Sequence, residues 1–173
     1  LKMSKEGIPQ YGEVTNEERE AAGSRSRGNQ VFHFPANAGK AGATAGWAFA
    51  NNNGAATLPA AQTASTLVIP LELKAGDVIT GFTVSGQIES AGATATLDAD
   101  LRATTAAAAD LTDASIGAIT QVSVTADTLV AASKTGLSET VASGKSYYIL
   151  LTGTTAAATD VALQGVEVTI TQK

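Results

Sequence analysis

Thr94-Ala95-Thr96-Leu97-Asp98-Ala99-Asp100-Leu101-Arg102 is the stretch on which the fold turns. Apolar and polar side chains alternate without a break: Ala95, Leu97, Ala99 and Leu101 fall on one face, Thr96, Asp98, Asp100 and Arg102 on the other. A period of two residues belongs to a β-strand with one face buried and one wet. Working outward, the same grammar recurs. Residues 78–89 place Val78, Phe82, Val84 and Ile88 on one side, with Thr83, Ser85, Gln87 and Glu89 on the other. Ala91-Gly92 reads as the turn between these two strands.

Further strands are expected over residues 47–50, 66–71, 116–126, 128–133, 137–141, 146–152 and 160–172. Asn51-Asn52-Asn53-Gly54, Lys74-Ala75-Gly76-Asp77 and Ser143-Gly144-Lys145 supply turns. Pro70 lacks the N–H a ladder needs, which places it at an edge or near a strand end. Residues 146–152 are apolar on both faces, as a central strand is. In the last strand the apolar set runs Val161, Leu163, then Val166, Val168, Ile170; the one-residue slip at Gln164-Gly165 is the mark of a β-bulge. Residues 104–115, rich in Ala, Asp and Thr, read as a connecting loop with room for one helical turn. The expectation is an all-β fold, an antiparallel β-sandwich of jelly-roll or immunoglobulin-like type, with about eight or nine strands.

Ahead of Trp47 the texture changes. Thr15-Asn16-Glu17-Glu18 fits a capping box, and Gly23 ends that helix after about two turns. A polar Gly/Ser/Arg linker follows, then Val31-Phe32-His33-Phe34, a strand-like patch closed by Pro35, then a run of Ala, Gly and Thr. Residues 1–46 are therefore expected to be an extended N-terminal arm and residues 47–173 the sandwich domain. Val31, Phe32, Phe34 and Trp47 are the candidate partner-binding residues. The patch either adds as a strand to a neighbour's sheet edge or packs on its own domain.

Composition narrows the function. Apolar residues make up 44% but aromatics only 5%, so the core is built of small side chains and buries little area per position. Such a chain gains by burying more surface, in a homo-oligomer or on a scaffold. The absence of cysteine excludes disulfides, thiolate zinc sites and a cysteine nucleophile. Net charge is −5, split as +1 over residues 1–40 and −6 over the rest; an acidic body without clustered Lys and Arg does not suit nucleic acid. No apolar run reaches the roughly 20 residues of a membrane helix, so no membrane partner is expected. No hydrophobic segment follows Lys2 and Lys5, and a signal peptide is expected to be absent or already removed.

Chemistry-bearing residues are few. His33 is the single histidine and sits between two phenylalanines, where packing or solvent exposure outweighs acid–base work. Asp98 and Asp100 project from one strand face and are weak metal candidates; calcium would need several more oxygens than Asp110 and Asp113 can add. Tyr147 and Tyr148 must face opposite ways, the inward hydroxyl bonding a neighbouring connection and the outward ring free to stack on a sugar. A lone exposed aromatic is a small platform for that. No glycine pattern cradles a nucleotide, and no cofactor is expected. Neither nucleophile nor acid–base pair emerges, so the chain is read as non-enzymatic.

The stretch Leu73-Lys74-Ala75-Gly76-Asp77-Val78-Ile79-Thr80-Gly81-Phe82, then Ser85 to Gly92, then Thr96 to Arg102, resembles tailed-phage virion structural proteins. Gly144-Lys145-Ser146-Tyr147-Tyr148 and Gln164 to Thr169 are similar in style, and the resemblance covers about residues 66–172. It implies a capsid decoration or cement protein on the virion surface, a homo-oligomer with a trimer among the options, anchored by its arm to the major capsid protein or other virion subunits. Two alternatives stand beside it: an extracellular filament subunit using strand complementation, and a carbohydrate- or receptor-binding module of a tail fibre.

Overall fold

A computed structural model describes residues 28–42, 46–49, 53–107 and 110–172. The expected helix near Thr15 lies outside them. The described residues form ten strands: β1 (Asn29–Pro35), β2 (Lys40–Ala41), β3 (Ala48–Phe49), β4 (Ala56–Leu58), β5 (Ser65–Leu71), β6 (Val78–Ala106), β7 (Leu111–Ala118), β8 (Val122–Thr140), β9 (Lys145–Thr154) and β10 (Thr159–Thr171). Every pairing is antiparallel.

The strand β6 organises the molecule. Its first half pairs with β8 on one side and β10 on the other, and its second half with β7 and β9. One long strand therefore serves both layers of a curled sheet, and a single buried cluster draws on both. One layer runs β8–β6–β10, flanked by β1 and β4 and then β3; the other runs β7–β6–β9–β5–β2. The turn expected at Ala91-Gly92 is thus a bend inside one strand. Gly92 has φ +93°, a left-handed backbone that favours glycine, and the ladder shifts register on both sides of Ala91.

The alternation that announces the fold holds in three dimensions. Ala95, Leu97, Ala99 and Leu101 are buried, against Ile149 and Leu151 of β9 and Ile69 of β5. Burying each large aliphatic side chain contributes about 1.5–3 kcal/mol. β9 lies between β5 and β6, as a strand apolar on both faces should. The slip at Gln164-Gly165 is a register shift between Leu163 and Gly165, which keeps Val166, Val168 and Ile170 inside. Pro70 stands one residue from the end of β5, beyond the two residues that β2 covers.

One sequence expectation is corrected. Residues 104–106 and 111–115 are strand and not loop: β6 runs on to Ala106 and β7 starts at Leu111, forming a hairpin, because Thr suits an exposed strand. Among the described residues strand pairing also extends ahead of Trp47. β1 pairs with β10 from Asn29↔Thr171 to Pro35↔Gly165, and β2 pairs with β5. Phe32 and Phe34 stand beside Val168 and Val166, whose apolar side chains need cover at that edge. The patch packs on its own domain.

Candidate functional site

The outer face of the β7–β6–β9–β5 layer carries the densest polar arrangement among the described residues. The two-residue period of β6 sends Asp98, Asp100 and Arg102 to this face while their neighbours fill the core. Arg102 stands in register with Tyr148 of β9, and Tyr148 with Pro70 of β5. On the other side β7 brings Asp113 and Ser115 alongside.

These side chains are already joined. Arg102 Nη1 donates to Asp100 Oδ2 at 2.7 Å, and Arg102 Nε donates to Asp113 Oδ2 at 2.9 Å. Arg102 Nη2 also lies 2.9 Å from Asp113 Oδ2, so the guanidinium fork is held between two carboxylates. The Tyr148 hydroxyl donates to Asp113 Oδ1 at 2.6 Å, and Ser115 Oγ donates to Asp100 Oδ1 at 2.6 Å. Gln121 Nε2 donates to Asp98 Oδ2 at 2.8 Å. Asp113 is held below the ordinary carboxylate range, first by the Tyr148 hydroxyl and then by Arg102. Hydrogen bonding to Asp113 also makes the Arg102 guanidinium harder to deprotonate. Burial raises the Tyr148 phenol above its usual value, and the carboxylate at its hydroxyl adds to that. Each donor is pinned by a neighbour, which leaves a rigid face.

Tyr147 and Tyr148 divide as their adjacency requires. Tyr147 is buried, and its hydroxyl accepts from Ala142 N–H while bonding Glu139 Oε1 at 3.0 Å in the β8–β9 region. Tyr148 stays on the outer face, with Leu150 and Thr152 of the same strand and Val68 and Thr66 of β5 beside them.

The other candidates are dispersed. His33 pairs in register with Glu167, and its Nδ1 lies 4.0 Å from a Glu167 oxygen, on the layer opposite Asp98 and Asp100. Val31 is 59% exposed and Phe32 36%, whereas Phe34 is half-buried against the core. Trp47 is buried, its indole N–H donating to the Ser65 carbonyl at 3.2 Å. The ring thus belongs to the buried cluster of this chain. Among the described residues no group of three or more His, Asp or Glu is placed to hold a metal ion. A separate open cleft of about 550 Å³ is lined by Thr57, Pro59, Glu89, Ser90, Asp127 and Asp160. Sequence reasoning placed Asp98, Asp100 and Arg102 on an outer face and required one of Tyr147 and Tyr148 to join such a face, but read Asp113 as a loop carboxylate and missed Ser115 and Gln121. Asp113 and Ser115 sit in the hairpin read as a loop, where no apolar period marks the strand.

No protein-family model matches the chain, and no characterised protein matches it by sequence. Solved structures similar to it include the CBM22-1–GH10 modules of Clostridium thermocellum xylanase 10B, complexed with xylohexaose (16% identity, 86% of this chain and 28% of that one, TM-score 0.47). A second is the CBM36-1 domain of a multidomain xylanase from the hindgut metagenome of Trinervitermes trinervoides (10% identity, 81% and 95% coverage, TM-score 0.48). A third is the enzymatically active domain of tailspike protein 4 from bacteriophage CBA120 (12% identity, 82% and 19% coverage, TM-score 0.34). This chain thus spans less than a third of the first and last of these. At such scores the likenesses carry no argument about a ligand.

Proposed function

We propose that the protein is a non-catalytic glycan-binding β-sandwich that works outside cells or on a virion surface, with the outer face of β5, β9, β6 and β7 as its platform. One observation carries this reading: Tyr148 lies in register beside a guanidinium and carboxylates already locked in position. A pyranose ring presents a C–H face that packs on an aromatic ring and an edge of vicinal hydroxyls that both donate and accept. Asp98, Asp100 and Gln121 can receive and supply such bonds, and their mutual hydrogen bonds lower the ordering cost of binding.

With one aromatic on the face the affinity of a single site is low, a Kd of about 1 mM or a little tighter. The homo-oligomer expected from the small-residue core compensates by multiplying sites. Display on a tailed-phage particle, which the sequence resemblance implies, suits a receptor-recognition role of this kind. The capsid-cement reading has less to rest on, because the Val31–Phe34 patch that would serve as its tether is engaged with β10.

The test is a glycan array followed by titration calorimetry on the leading hits. Wild-type protein is expected to bind, and Tyr148→Ala to weaken binding about tenfold or more while the far-ultraviolet spectrum stays that of a β protein. Absence of any hit, or hits indifferent to Tyr148, overturns the proposal.

A further inference from the structure

The platform also has a charge character, and it selects among glycans. We infer that this face takes neutral glycans and rejects those bearing carboxylate or sulfate groups, an inference that rests on the glycan-binding reading above.

Anion recognition requires a cation with unspent donors pointing at the ligand. Arg102 is the one cation in the network among the described residues, and three of its five N–H donors are engaged, one on Nη1 by Asp100 and those on Nε and Nη2 by Asp113. Two carboxylates thus match its single charge, and Asp98 lies further along β6 on the same face, so the centre of the platform is net negative. Lys145, one step beyond Ser146 along β9, is paired with Glu139 at 3.2 Å.

Lys40 is the remaining cation on this face among the described residues. Register places it beside Val68, then Leu150, then Asp100, in one cross-strand row. Three strand spacings of about 4.8 Å put its backbone about 14 Å from that of Asp100. Backbone to backbone that exceeds the screening length of about 8 Å at physiological salt, so Lys40 offsets the charge of the centre only in part. An anionic sugar over Tyr148 would face like charge at Asp100 and Asp113, whereas a neutral sugar meets only hydroxyl-compatible groups.

The experiment uses the full chain and a panel of soluble neutral polysaccharides, each paired with a sulfated or carboxylated derivative of the same backbone. Calorimetry is expected to show binding of a neutral member, about tenfold weaker binding of its charged counterpart, and less than about a twofold change in the neutral Kd between 50 and 500 mM salt. Asp113→Asn removes one negative charge and frees Arg102 donors; it is expected to narrow the neutral-to-charged ratio at least threefold. Equal or tighter binding of the charged derivative, or a ratio untouched by Asp113→Asn, overturns the inference and leaves the glycan reading standing. If no member binds, the underlying reading fails and the inference falls with it.

Discussion

Replacing Trp47 with alanine distinguishes a core residue from a contact residue. The ring is 6% exposed, lies over Gly153 and Leu58, and donates to the Ser65 carbonyl. An aromatic of this kind buries about 200 Å², worth about 5 kcal/mol at 25 cal/mol per Å². The neighbours cannot close the gap: a Cβ built on Gly153 would already stand 2.5 Å from Leu58 Cδ2 and 3.2 Å from the indole, so the backbone there is as near as it can come. Measured Trp→Ala losses in cores run about 3–5 kcal/mol, and the Ser65 carbonyl also loses its donor. For a chain of this size the midpoint temperature should fall by about 6–20 °C. Urea titration followed by circular dichroism measures it, with Trp47→Phe as a control expected to recover part of the loss. In the wild type, the single tryptophan should emit at short wavelength and shift red on unfolding. A loss below about 1 kcal/mol, or a native red-shifted emission, would refute the placement of Trp47 in the core.

Other outcomes follow from the same geometry. A Cβ at Gly86 would meet the Ala162 carbonyl at 2.5 Å and Leu163 Cα at 3.1 Å, both backbone, so Gly86→Val should destabilise the β6–β10 ladder by about 1–3 kcal/mol in urea titration. Leu101→Ala, at a fully buried site, should cost about 2–5 kcal/mol by the same assay. Asp113 has a lowered carboxyl, so its stabilising contribution is complete above the ordinary carboxylate range and lost as pH falls through its folded value. Asp113→Asn should therefore flatten the acid limb of a thermal-stability profile, by a small amount because the group is well exposed. The Tyr148 phenol is raised, so its stabilisation is present below the ordinary tyrosine range and lost at higher pH. Ultraviolet titration of phenolate absorbance should show Tyr148→Phe removing a late-ionising group.

The strands with a buried face were legible because burial imposes a strict period: the slip at Gln164-Gly165 and the alternation from Thr94 to Arg102 could be read residue by residue. What escaped was long-range or unburied. Nothing local distinguishes a turn at Ala91-Gly92 from a bend within β6, since the choice depends on β8 and β10 pairing alongside. In β7, residues Leu111 to Ser115 are exposed on both faces, so no apolar period marks the strand. The arm misled for the opposite reason: Val31 to Phe34 has a strand's pattern, but its partner, β10, lies more than a hundred residues away. Part of the site's polar network was lost with the hairpin that holds Asp113 and Ser115, while Asp98, Asp100 and Arg102 followed from parity alone.

Amide chemical-shift mapping during titration with an array-selected neutral glycan tests the central claim most directly. The account expects perturbations concentrated at 98–102, 113–115 and 148–150, saturating with one Kd that is weaker by about tenfold or more in Tyr148→Ala. Perturbations gathered instead around Glu89, Asp127 and Asp160, or spread evenly over the surface, would contradict it.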